Sequence, residues 1–208
     1  MSGGDLYNEL DNALVVAGTK QAAAWRNHVG WPLKAVTMGL GGGVSNVTVD
    51  SDGNYTPNDP NDPNGVKAII APVWAGPAPG KPEDIIDLAA WVPSTGKTFT
   101  RCGLADLLGE WAIWNCTCLP VTPNRLMVFR DPCQWAQAAV WIGPGERGGH
   151  GIVIIDWSRT YSRLSCLAGI VDFVITDIGI GQQLRSALEP PPRPIPRILF
   201  AVDYGRAA

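Results

Sequence analysis

Acidic residues placed just past apolar runs are the first candidates for chemistry in this sequence. Arg130-Asp131 follows LMVF, Asp156 follows GIVII, and Asp177-Ile178-Gly179 follows VDFVIT. Carboxylates gathered at strand ends can hold magnesium and neutralise a phosphate during phosphoryl transfer. The carboxyl ends of strands in an open α/β sheet are where ligands collect. Asp131, Asp156 and Asp177 are therefore the candidate catalytic acids. The same residues also have a structural use: Asp131-Pro132 reads as an N-cap followed by proline at the first helical position, and Asp156 and Asp177 read as loop acids at strand ends.

Two other stretches carry chemistry-bearing residue types. Pro93-Ser94-Thr95-Gly96-Lys97-Thr98 ends like a Walker A loop, with Ile152 to Asp156 resembling a Walker B strand. Such a loop needs a glycine five positions before Gly96 so that backbone amides can wrap the phosphates, and that position is Trp91. A β-turn with an exposed Lys97 suits the flanks better. Trp157, Arg159, Tyr161 and Arg163 combine aromatic faces with positive charge on one short segment, as a single-strand nucleic-acid contact requires; packing at the rim of the core is their alternative role. Five cysteines (Cys102, Cys116, Cys118, Cys133, Cys166) and two histidines (His28, His150) show no metal-ligand spacing, so ordinary buried thiols and no metal site are expected.

The elements that position these residues follow from hydrophobic patterning. LMVF, GIVII and DFVIT are apolar runs separated by the helix-length segments CQWAQAAVWIG and SRTYSRLSCLAG, and QQLRSAL follows the last. Strands that are apolar on both faces point to a parallel sheet covered twice. The order of elements resembles a Toprim domain, the metal-dependent module of primases, topoisomerases and related nucleases. In that family the first strand ends in Glu-Gly and the third in Asp-x-Asp. Here Arg130 stands at the glutamate position and Gly179 at the second aspartate position. The resemblance implies a mainly parallel Toprim-like sheet in the C-terminal half. It also implies an accessory protein of prophage or mobile-element DNA replication that has lost the usual metal-binding acids and works without a cofactor. Nucleic acid or a replication protein would be its partner. The rival expectation is an enzyme: a magnesium-dependent nuclease or primase built on the shifted acids, or a nucleotide hydrolase through Gly96-Lys97-Thr98.

Ahead of that half, Asp5 to about Val29 has helical spacing, ended by Gly30 and Pro32. Val44, Val47 and Val49 alternate before the turn signal Ser51-Asp52-Gly53-Asn54, which predicts a hairpin. Two strands, AIIAPVW and DIIDLAAW, come next, then a return strand over Thr98 to Arg101 and a short helix over Ala105 to Trp114. The expected α/β architecture is thus an N-terminal helix (1–30), a small β-rich hairpin region (31–120) and the Toprim-like part (121–208). That last part ends in a stiff EPPPRPIPR linker and a final strand, ILFAVD. The chain of 208 residues has 46% hydrophobic residues and a formal charge of −3, enough apolar content for a sizeable core and no basic footprint for nucleic acid. No apolar run reaches the roughly 18–20 residues of a membrane helix, so the expectation is a cytoplasmic protein with no membrane partner.

Overall fold

The computed structural model describes residues 3–59, 62–75, 84–118, 125–142, 151–167, 169–175 and 177–189. The expected proline-rich linker after Glu189, the ILFAVD strand and His150 lie outside them. The N-terminal helical pattern yields two helices, α1 (Gly3–Ala17) and α2 (Lys20–His28). The break falls at Gly18, whose amide bonds back to the carbonyls of Leu14 and Val15, after which the Thr19 hydroxyl caps α2 by accepting the Ala22 N–H at 3.3 Å. Glycine has little helical preference and threonine is a ready N-cap, so one pattern becomes two elements. A short α3 (Leu33–Thr37) follows Pro32.

Five strands come next: β1 (Gly43–Val49), β2 (Tyr55–Asn58), β3 (Val66–Trp74), β4 (Ile85–Val92) and β5 (Lys97–Thr100). They form one sheet in the order β2-β1-β3-β4-β5, antiparallel throughout. The sheet curls like half a barrel, far enough that Asn54 beside one edge strand bridges to Thr100 on the other. Over Ala68 to Val73 and Leu88 to Val92 its apolar residues alternate between two faces. Ala68 and Ile70 of β3 with Leu88, Ala90 and Val92 of β4 lie under Leu6, Leu10 and Ala13 of α1. Ile69, Ala71, Val73, Ala89 and Trp91 point the other way, into a second and larger core. The curled sheet is therefore a middle layer, buried on both sides.

The second sheet has the order β6-β8-β7-β9, with β6 (Leu107–Leu108), β7 (Arg125–Phe129), β8 (Gly151–Ile154) and β9 (Asp172–Ile175). β7 runs parallel to β8 and to β9, whereas β6 is antiparallel to β8. Around it lie α4 (Glu110–Cys118), α5 (Pro132–Ile142), α6 (Thr160–Leu164) and α7 (Ile178–Ala187).

This arrangement corrects the expected fold class. The chain is mixed α/β, and its larger sheet is antiparallel. The smaller sheet is mixed, not the mainly parallel Toprim-like sheet that the spacing of apolar runs suggested. The expected helix over Ala105 to Trp114 is also corrected. Gly109, at φ +79°, breaks the segment so that Leu107 and Leu108 pair with Ile154 and Val153 before α4 begins. A Cβ at Gly109 would stand 2.4 Å from the Gly151 carbonyl oxygen, so only glycine lets the chain turn that close to β8. The Trp135 indole N–H donates to the same carbonyl at 2.9 Å, tying α5 to β8.

Candidate functional site

Strand register sets where the candidate acids stand. β7 aligns Phe129 with Val153 and Val128 with Ile175, so Arg130-Asp131, Asp156 and Asp177 leave the sheet along one edge. Each aspartate begins a helix there. Asp131 Oδ1 accepts the Gln134 N–H at 2.9 Å and Asp177 Oδ1 accepts the Ile180 N–H at 2.9 Å. Asp156 Oδ1 accepts both the Ser158 N–H at 2.9 Å and the Ser158 hydroxyl at 2.6 Å, starting a 3-10 turn over Trp157–Arg159. Such caps contribute about 1 kcal/mol each.

The remaining carboxylate oxygens face guanidinium groups. Arg130 lies between two acids, its Nη1 3.9 Å from Asp177 Oδ2 and its Nε 4.0 Å from Asp131 Oδ2. Arg130 is itself solvent-exposed and both contacts are long, so the stabilisation stays under about 1 kcal/mol. The electrostatic effect at the site is larger in kind: a fixed positive charge occupies the place where a cation would share the two acids.

A denser lattice stands beside it. Asp106 binds Arg159 Nη1 at 2.8 Å through one oxygen and lies 3.3 Å from Arg163 Nε through the other. Arg159 Nε is 3.3 Å from Asp156, and Arg163 also pairs with Glu110. The hydrogen bond to Asp106 raises the Arg159 pKa above its ordinary value. The Asp106 carbonyl accepts the Ile155 and Asp156 amides at 2.9 and 3.0 Å, anchoring the lattice to the end of β8. Sequence reasoning passed over Asp106 and Glu110. The signal was present as matched spacing: two acids four residues apart meet two arginines four residues apart.

Among the nucleic-acid candidates, Arg159 and Arg163 are thus committed to carboxylates. Trp157 is half-buried and packs against the larger core, and Tyr161 is half-buried. Gly179 falls in the first turn of α7, where a Cβ would lie 3.1 Å from the capping oxygen of Asp177. Among the described residues, no three His, Cys, Asp or Glu side chains are grouped to share a metal ion.

The Walker-like stretch is the β4–β5 turn. Its Thr95 and Gly96 amides bond back to the Val92 carbonyl at 3.1 and 2.9 Å, so they close the turn where a nucleotide loop would turn them toward phosphate. Lys97 is exposed and pairs across the hairpin with Val92. Burial raises the Cys116 thiol, and burial with the nearby Asp131 charge pushes Cys133 up to about 11, so neither is a thiolate nucleophile near neutrality.

No family model, known protein or solved structure in the three comparisons matches this chain. Its own geometry is what bears on function.

Two polar constructions on the curled sheet escaped the sequence reading. Asp87 of β4 is fully buried, and its carboxylate accepts five backbone amides: Leu88, Arg101 and Cys102 on Oδ1, Leu104 and Ala105 on Oδ2, all at 2.8–3.0 Å. It holds the segment that leads from the first sheet into β6. Nearby, Glu9 of α1 accepts the Tyr55 hydroxyl at 2.9 Å and pairs with Arg101 Nε at 2.9 Å. Beside it an open groove of about 810 Å³, which Glu9 also lines, runs between α1, α2 and strands β1 to β3.

Proposed function

We propose that this chain is a non-catalytic accessory protein that works by binding, in the cytoplasm and in the nucleic-acid transactions that its resemblance to primase proteins implies. The observation that supports this reading is the occupancy of the strand-end edge. Every candidate acid there caps a helix, and Arg130 stands between Asp131 and Asp177. Magnesium prefers an octahedral shell anchored by one or two carboxylates, and a guanidinium within 4 Å of both anchors opposes a second cation by roughly 1 to 4 kcal/mol, depending on exposure. Arg130 has no basic lone pair at neutral pH, so it cannot replace a glutamate in proton transfer.

Calorimetric titration with magnesium tests the reading. The parent protein is expected to show no saturable site, and Arg130→Glu to gain weak binding because the guanidinium between Asp131 and Asp177 is then replaced by a further acid. A single tight site in the parent that Asp177→Asn abolishes, accompanied by cleavage of single-stranded DNA, would replace the accessory role with the enzyme. Asparagine is as good an N-cap as aspartate, so that variant keeps α7 intact.

A further inference from the structure

The groove beside α1 is built unlike the strand-end edge. Its floor is aliphatic and small, with Ala13, Ala22, Val44 and Ile70 all buried. Its rim is made of side-chain amides. Asn8 and Asn12 stand one turn apart on α1, Gln21 rises from α2, and Asn46 and Asn58 face each other across the β1–β2 pair. Asn8, Asn12 and Gln21 are exposed and, among the described residues, none of their side chains makes a hydrogen bond, so the amide donors and acceptors are open to a ligand. The charged side chains of the lining are engaged: Glu9 pairs with Arg101, and the Lys67 ammonium sits 5.4 Å from the Trp25 ring centre.

We propose that this groove binds an extended, uncharged peptide segment of a partner protein through its main chain. The proposal rests on the reading of the chain as a binding protein and adds a surface lined by none of the strand-end acids. Three features carry it. From Asp5 to Val16 the α1 wall is about 16 Å long, the reach of roughly five extended residues. Asn8 and Asn12 are separated by about 6 Å along the helix, close to the repeat of about 6.6 Å between peptide groups facing the same way in an extended chain. Each primary amide offers a donor and an acceptor and so satisfies one N–H and one C=O of a peptide backbone. The small apolar floor then takes the alternate side chains that point inward, in the manner of other strand-like peptide sites. A phosphate-bearing ligand fits less well, because Lys67 is the one basic residue among the described lining residues and it already lies over Trp25.

The test uses the full chain and the capped hexapeptide acetyl-Ser-Val-Ser-Val-Ser-Val-amide, followed by NMR of the side-chain amide resonances. The expected result is a saturable shift of the Asn8, Asn12 and Gln21 amide groups at millimolar peptide. Asn12→Leu, an exposed change that keeps shape and removes the amide, should weaken binding about tenfold, or about 1.4 kcal/mol. The same peptide N-methylated at its three valines should bind at least as poorly. Shifts that do not saturate, shifts centred elsewhere, equal binding by the N-methylated peptide, or tighter saturation of these amides by adenosine or uridine would each overturn the proposal. The magnesium titration of the strand-end edge reads the underlying non-catalytic reading separately, so the two can fail independently.

Discussion

Asp87→Asn puts the most physical chemistry into one atom. Asparagine keeps one acceptor oxygen, which can still take the amides of Leu88, Arg101 and Cys102. Its amide nitrogen would then point hydrogens at the N–H groups of Leu104 and Ala105, which now meet the other carboxylate oxygen at 2.8 and 3.0 Å. A buried donor left without an acceptor costs about 1–3 kcal/mol, so two give about 2–6 kcal/mol before the loss of the charged acceptor is counted. Set against a typical total of about 5–15 kcal/mol, this is a severe loss for one oxygen-to-nitrogen change. Asp87→Ala strips the acceptor from all five amides and should leave no stably folded protein at room temperature. Urea unfolding followed by tryptophan fluorescence reads the effect, as a lower midpoint at unchanged slope. If Asp87→Asn lost less than about 1 kcal/mol, the carboxylate would not be what holds the segment from Arg101 to Ala105, and the reasoning would fail.

Tyr55→Phe removes a buried hydroxyl that donates to the Glu9 carboxylate, and should cost about 1.5–3 kcal/mol near neutral pH. Burial, then the charge and hydrogen bond of Glu9, hold the Tyr55 pKa far above its ordinary value. The unfolded chain ionises near pH 10, so this stabilisation is complete below about pH 10 and falls as pH rises above it. Tyr55→Phe should lack that alkaline decline in denaturation curves; parallel pH profiles for the two proteins would refute the linkage. Gly109→Ala should destabilise by about 2–5 kcal/mol, combining a left-handed backbone with a Cβ that collides with Gly151. Gly53→Ala, at φ +83° but with nothing within 4 Å, should lose only the backbone part, and equal losses in the two variants would refute the steric argument.

The sequence made the elements legible more readily than their arrangement. The β1–β2 hairpin was readable because alternating valines flank a strong turn signal, and the Asp131 cap because Asp-Pro has a local geometry of its own. The fold class was not, because an unbroken apolar run reports burial on two faces and nothing about strand direction. AIIAPVW and LAAWV are apolar throughout while lying in an antiparallel sheet, since α1 covers one side and the second core covers the other. At the strand-end edge, an arginine next to Asp131 was visible in the sequence, and its attraction to the neighbouring acids follows from charge alone. Asp106 was hidden by distance: its partners are 53 and 57 positions away, and only the antiparallel pairing of β6 with β8 brings them together. Asp87 was hidden for another reason. A lone aspartate among apolar residues resembles a strand interruption until the five amides around it are known.

The contact between Glu9 and Arg101 spans 92 positions, and it governs the order in which a growing chain can mature. During synthesis α1 emerges with an apolar face and a carboxylate that have no partners yet, because β3, β4 and Arg101 are still to be made. The helix must wait, exposed, through the production of nearly half the protein. Long-range pairings of this kind slow folding, since chain entropy is lost before any contact rewards it. Helix α1 is thus made well before the contacts that secure it, which makes the nascent chain, more than the finished fold, the state most in need of protection from aggregation.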